Sequence, residues 1–204
     1  MFLSEIPALH VFIIHITVLV LHVLALIFFV IKGILVKRKK KMFQAIEGLL
    51  NEYVKADPLH AKLDRVNMPE YDYILTTREL KLYIMVIPNF TCGEICINSP
   101  TKWQFRRTYK DDIVRFVPRV DKLMRFDPPY EAGLRSKRLY IIYPNSKSLL
   151  RYINECEMEF VRPETDLNGT SVVTYQELLE HRDSIELSNI GNSYIFLLNG
   201  DFYV

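Results

Sequence analysis

The stretch VFIIHITVLVLHVLALIFFVI (11–31) is 21 residues long and carries no formal charge. A helix rises ~1.5 Å per residue, so the run spans about 30 Å, the thickness of a bilayer's hydrocarbon core. Lys32 follows and can snorkel, and KRKKK (37–41) comes soon after. Before the run stands Glu5, with no Lys or Arg. Basic residues concentrate on the cytoplasmic side of membrane helices, so this order places residues 37–204 in the cytoplasm and residues 1–10 outside. A cleaved signal peptide would show a basic start, a shorter apolar run and small residues at a cut site, and this chain has the opposite charge order. The expected organisation is a short extracytoplasmic N-terminus (1–10), a transmembrane helix (11–31), a basic collar and juxtamembrane helix (32–56), a connection (57–69) and a cytoplasmic α/β domain (70–204).

The collar residues Lys37, Arg38, Lys39, Lys40 and Lys41 are expected at anionic headgroups, at about 1 kcal/mol per basic residue. His15 and His22 are seven apart and share one helix face, whereas His10 sits off it. Such a pair is either a polar seam for helix pairing, including homo-oligomerisation, or a pH-sensitive contact, or else two neutral imidazoles bonded to a neighbour or near headgroups.

Charge has to be split at the collar. Six of the 26 basic residues lie in 32–41 and one of the 24 acidic residues precedes them, so 42–204 carry 20 basic and 23 acidic residues. That mildly acidic balance gives no compositional footprint for nucleic acid. Half the residues are apolar and a quarter charged, the composition of a folded domain. Cys92, Cys96 and Cys156 lack the paired spacing of a zinc site and read as reduced thiols. NFT (89–91) and NGT (168–170) match the glycosylation triplet, which is accidental in a cytoplasmic domain.

Apolar residues at 43, 46, 49, 50, 53 and 54 have helical spacing, and Asp57-Pro58 ends that helix. Residues 57–69 read as a polar connection with one further helical turn. YDYILTT and LKLYIMVIP form a β-hairpin, the second strand apolar on both faces and therefore central. GEICINS (93–99) is a third strand, and 109–125 are expected as helix, interrupted at Pro118, with Arg115, Arg119 and Lys122 on one face. RLYIIYP (138–144) is a buried strand and NSKSLLRYINE (145–155) reads as a capped helix. MEFVRP and SVVT are strands. TYQELLEHRDSI (174–185) is a helix whose Thr174 and Glu177 make a capping box. The apolar tail is expected to pack on the domain. The sum is one α/β domain around a single mixed sheet.

Four pieces of the chain, in order, carry a resemblance: EYDYILTT (70–77), KLYIMVIPN (81–89), GEICINSPTKW (93–103), and LYIIYPNSKSLL (139–150) followed by VVTYQELLEH (172–181). Together they resemble the nuclease-related domain family of the restriction-endonuclease-like fold, over roughly residues 70–182. The resemblance implies an Asp and a Glu binding Mg²⁺, with a Lys two residues after the Glu. Asp72 matches the Asp. The Glu position falls on Met85 or Val86 and the Lys position on Ile87 or Pro88, so neither register supplies a carboxylate or an amine. The literal E-x-K at Glu79–Lys81 sits near the hairpin turn, about 20 Å along the strand from Asp72, too far to share a metal.

Three functions are therefore carried forward. The first is a membrane-anchored pseudo-nuclease without catalytic residues or metal, recruiting a protein, or weakly a nucleic acid, to the membrane. The second is an active Mg-dependent nuclease using Asp72, Glu94 and Lys102. The third is a structural subunit of a membrane assembly. Arg106, Arg107, Arg115, Arg119 and Lys122, near Trp103 and Tyr109, are candidate phosphate contacts. Their alternative is a solvated face interleaved with Asp111, Asp112 and Asp121. No G-x-S-x-G, phosphate-cradling glycine loop or H-E-x-x-H occurs.

Overall fold

The computed structural model describes residues 5–66, 68–106, 115–154, 157–162, 165 and 167–186. The expectations for the apolar tail, for 109–114, and for Arg107 and Cys156 fall outside these. The chain divides into two units, Met1–Gln44 and Ala45–Val204.

The first unit holds most of α1 (Glu5–Ala56), a single helix of 52 residues that is long and apolar enough near its N-terminus to cross a membrane. Side chains from Phe12 to Val36 stand exposed along it. Thr17 Oγ1 donates to the Ile13 carbonyl, so this hydroxyl is satisfied within its own helix. Lys39 Nζ lies 5.8 Å from the centroid of the Phe43 ring, within cation–π range.

The second unit begins with the last turns of α1, where Ile46, Leu49 and Leu50 are buried on one face. The helix stops at Ala56, before Asp57-Pro58, as the sequence predicts. A single turn follows, closed by the Ala61 N–H donating to the Asp57 carbonyl at 2.8 Å. The connection then departs from expectation, because β1 (Lys62–Arg65) is a strand. It pairs antiparallel with β2 (Tyr73–Thr76), which forms the expected hairpin with β3 (Leu80–Pro88). β1 has alternating charge, KLDR, which suits the open edge it occupies.

Two five-stranded sheets are present where one was expected. The first has the order β1-β2-β3-β7-β10, with β7 (Arg135–Tyr143) and β10 (Thr170–Thr174) parallel to β3 and to each other in register. β3 is its central strand. The second has the order β6-β5-β4-β8-β9, built from β4 (Glu94–Ser99), β5 (Lys102–Arg106), β6 (Arg115–Phe116), β8 (Leu149–Tyr152) and β9 (Met158–Phe160). The chain moves from the first sheet to the second and back twice. Tyr83, Met85 and Ile87 of β3 share one core with Ile95 and Ile97 of β4, Trp103 of β5, Tyr140 and Ile142 of β7 and Leu149 of β8. The Trp103 and Tyr140 rings meet at 4.7 Å between centroids.

Two helix expectations are corrected. Residues 149–152 are strand β8, not helix. The polar residues that read as a helix cap are used in a loop instead: Ser146 Oγ meets the Gly93 and Ser148 carbonyls, and Ser148 Oγ donates to Glu94 Oε1. That loop delivers Leu149 beside Ile95. Within 109–125, residues 115–116 are strand β6, and the Val117 N–H continues the ladder onto the Trp103 carbonyl. Among the described residues of that stretch the helix is α2 (Val120–Arg125), preceded by Arg119 at φ 67°. Arg115, Arg119 and Lys122 therefore do not share a helix face.

Asn168 and Gly169 adopt φ 56° and 75° in a tight turn into β10, where the second position favours a residue without Cβ. α3 (Tyr175–Glu186) follows directly and packs on β7 and β10. Its capping box is formed: the Glu177 N–H donates to Thr174 Oγ1 at 3.1 Å, and the Thr174 N–H donates to Glu177 Oε2 at 2.7 Å.

Candidate functional site

Asp72 lies at the end of the β2–β3 hairpin, 7% exposed. Its N–H donates to the Ile84 carbonyl at 2.7 Å, the last backbone rung on that side. The carboxylate takes the place of the next rung: the Val86 N–H donates to Asp72 Oδ2 at 2.8 Å. An acid at this position thus has a local reason, since without it a buried amide of the central strand would lack an acceptor.

The other carboxylate oxygen is met by Arg119. Its Nη1 donates to Asp72 Oδ1 at 2.9 Å, its Nε to the Pro69 carbonyl at 3.2 Å and its Nη2 to the Met68 carbonyl at 3.0 Å. One guanidinium therefore closes the carboxylate and two carbonyls of the segment leading into it. Arg119 achieves this from a left-handed backbone conformation, which costs a residue with a Cβ roughly 1–2 kcal/mol. The fork geometry of guanidinium suits this set of acceptors in a way an ammonium would not. Sequence reasoning placed Arg119 among solvated or phosphate-facing side chains. The partner 47 residues away could not be read from spacing, and φ 67° at Arg119 leaves no pattern in residue types.

The remaining candidates are dispersed. Met85, Val86 and Ile87 are buried apolar side chains of the central strand. Glu94 and Lys102 belong to the second sheet, on β4 and β5, and Glu94 accepts from Ser148. Lys81 of the E-x-K pairs with Glu131. Arg106 ends β5, Arg115 lies exposed on β6 and Lys122 is on α2. Among the described residues, no group of three or more His, Cys, Asp or Glu side chains is placed to hold a metal ion.

A second feature escaped the sequence reading. The strand registers align Phe116, Gln104, Cys96, Leu150 and Phe160 in one row across all five strands of the second sheet. Ile95, Ile97 and Trp103, on the alternate positions, face the core, so this row lies on the outer face. Phe116 is 59% exposed at one edge of the sheet and Phe160 68% at the other, and Tyr152 and Met158 pair near Phe160, also exposed. Cys96 sits in the middle beneath Arg106 and Tyr152. Burial pushes its thiol pKa up, against a smaller opposite effect of those two neighbours. It is a packed thiol, 1% exposed. Arg106 Nη1 also lies 3.8 Å from Met158 Sδ.

The fold and site define an α/β domain of two mixed sheets, preceded in sequence by one long apolar helix. No family model, characterised protein or solved structure matches the chain.

Proposed function

We propose that this chain is a membrane-anchored binding module that holds a protein partner at the cytoplasmic surface through the outer face of its second sheet. The observation that carries the reading is the row from Phe116 to Phe160, with large aromatic side chains exposed at both edge strands. The exposed side chains lie toward the two edges of the sheet, with Cys96 buried between them, and exposed aromatic residues beside an arginine are the side chains that contribute most at interaction sites. The anchor is α1, with Lys37–Lys41 at the headgroups. The closed state of Asp72 supports a non-catalytic domain, because its two oxygens are occupied by the Val86 amide and Arg119 rather than turned to a shared ligand. On this reading the position that the nuclease-related resemblance assigns to a metal-binding Asp serves as a structural clamp.

The test is site-specific photo-cross-linking of the full chain in native membranes. Probes at 116 and 160 are expected to give the same discrete adduct, whereas probes at the still more exposed Leu59 and Tyr130 give none. No adduct, or equal labelling at all four positions, overturns the binding face. Mg²⁺ and Mn²⁺ titration with a nucleic-acid cleavage assay tests the other half. Metal-dependent cleavage lost in Asp72→Ala would establish the nuclease instead.

A further inference from the structure

His22 stands at the middle of the 11–31 run, about 15 Å from either end at ~1.5 Å per residue, which is the bilayer midplane of the anchored protein. Its Nδ1 lies 2.7 Å from the Val18 carbonyl of its own helix. A carbonyl can only accept, so Nδ1 carries the ring proton. A neutral imidazole has one proton, and Nε2 is therefore a bare lone pair. Among the described residues nothing meets it, and the side chain is exposed on the helix surface. Thr17 closes its hydroxyl on its own backbone, and His15, one face-repeat earlier, is already engaged within the chain. Nε2 of His22 is the acceptor left over, at the depth where no water can satisfy it.

We infer that His22 Nε2 is the docking point for a second membrane-spanning helix that presents a neutral hydrogen-bond donor, a hydroxyl or amide, at the midplane. This rests on the membrane-anchored reading of α1. Two physical points select that occupant over a second copy of the chain. In a parallel pair of copies the groups at this depth would be His22 and His22, acceptor against acceptor. Joining them requires one ring to give up its bond to Val18, or to carry a net charge at the midplane, which lipid opposes. A donor on another helix adds one bond and removes none. The surface around His22 also permits close approach. Ala25, the only alanine of the 11–31 run, which has no glycine or serine, lies three residues on, hence on the same face. Small side chains are what let helix backbones come together in lipid.

The experiment uses the full chain, donor-labelled, in phosphatidylcholine vesicles. The probe is an acceptor-labelled Leu-rich spanning peptide with one central Ser, compared with the all-Leu peptide. Energy transfer should show the Ser peptide pairing about threefold more tightly, and up to roughly fifteenfold, the range one such bond contributes in lipid. His22→Leu should fall to the all-Leu level, His22→Gln should retain the preference through its amide oxygen, and Ala25→Leu should weaken it by crowding. The inference is overturned if wild type does not discriminate between the peptides, if His22→Leu pairs as well as wild type, or if His22 instead governs transfer between labelled copies of the chain. Alkaline carbonate extraction of the same vesicles separates the two levels. Chain that is stripped off refutes the anchor itself, whereas chain that stays without discriminating refutes only the docking point.

Discussion

Asp72 and Arg119 divide the work of ending the central hairpin, and the consequences of removing each differ. Asp72→Ala leaves the Val86 N–H without its acceptor and takes the charge partner from Arg119. The buried amide costs about 1–3 kcal/mol, while the half-exposed guanidinium can recover part of its loss from water. Asp72→Asn keeps an oxygen for the amide and should lose distinctly less. Chemical denaturation of the full chain in micelles, followed by fluorescence of the single, buried Trp103, measures both. Equal loss in the two variants would mean the charge, not the amide, is what matters. Tyr73, the next residue, gives a pH prediction. Burial raises its hydroxyl pKa from 10.0 to about 12. The folded state then holds its proton longer than the unfolded chain. Its contribution is fully present below about pH 10 and is lost as pH rises through about 12, roughly 2–3 kcal/mol at the end of that window. Tyr140, whose hydroxyl donates to the Val120 carbonyl at 2.6 Å, is pushed up by burial too and acts with the same sign. Tyr73→Phe should therefore move the alkaline unfolding midpoint upward, and an unchanged midpoint refutes the assignment.

At the scale of elements, the capping box of α3 is the cleanest prediction. Thr174→Ala removes the acceptor for the Glu177 N–H and should cost about 1 kcal/mol, while Glu177→Ala removes the separate acceptor of the residue 174 backbone N–H, so the double variant should lose distinctly more than either single one. Thermal melts of the single and double variants test this, and a double variant no less stable than Thr174→Ala would refute it. α3 was legible because its cap, its capping glutamate and its apolar spacing all agree. The hairpin was legible for a similar reason: β3 is apolar on both faces, and only a central strand tolerates that. β8 was not. LLRY is too short for its period to separate strand from helix, and its upstream Asn and Ser residues cap helices and brace loops with the same atoms. Nor could residue order show two sheets. β3 and β4 are consecutive in sequence and read alike, yet they belong to different sheets, because pairing is decided by long-range partners such as Leu149 for Ile95. The candidate site divides the same way. Asp72 stood out by its position in the hairpin; Arg119 depends on a partner 47 residues away, and the Phe116–Phe160 row on the long-range pairing of Cys96 with Leu150.

For the whole molecule, the proposed membrane anchor raises the question of which side the α/β domain would occupy, and the chain carries its own reporter. NGT at 168–170 places Asn168 in an exposed turn at φ 56°, accessible to a glycosylating enzyme, whereas Asn89 of NFT is buried with its amide donating to the Gly93 and Asn145 carbonyls. The basic excess at 37–41 against Glu5 on the other flank should hold the domain on the cytoplasmic face. Translation in the presence of microsomes should then give a chain that resists carbonate extraction and whose mobility does not change on deglycosylation. Replacing Lys37–Lys41 by neutral residues while adding lysines before residue 11 should turn part of the population over, and that part should gain a glycan that Asn168→Gln abolishes. The reversed variant matters, because it shows that Asn168 can be modified and makes the unmodified wild type informative. A glycan on the wild-type chain would put the exposed aromatic face in an oxidising, extracytoplasmic compartment. The search for its partner would then move to the other side of the membrane, and the collar would have failed as the determinant of orientation.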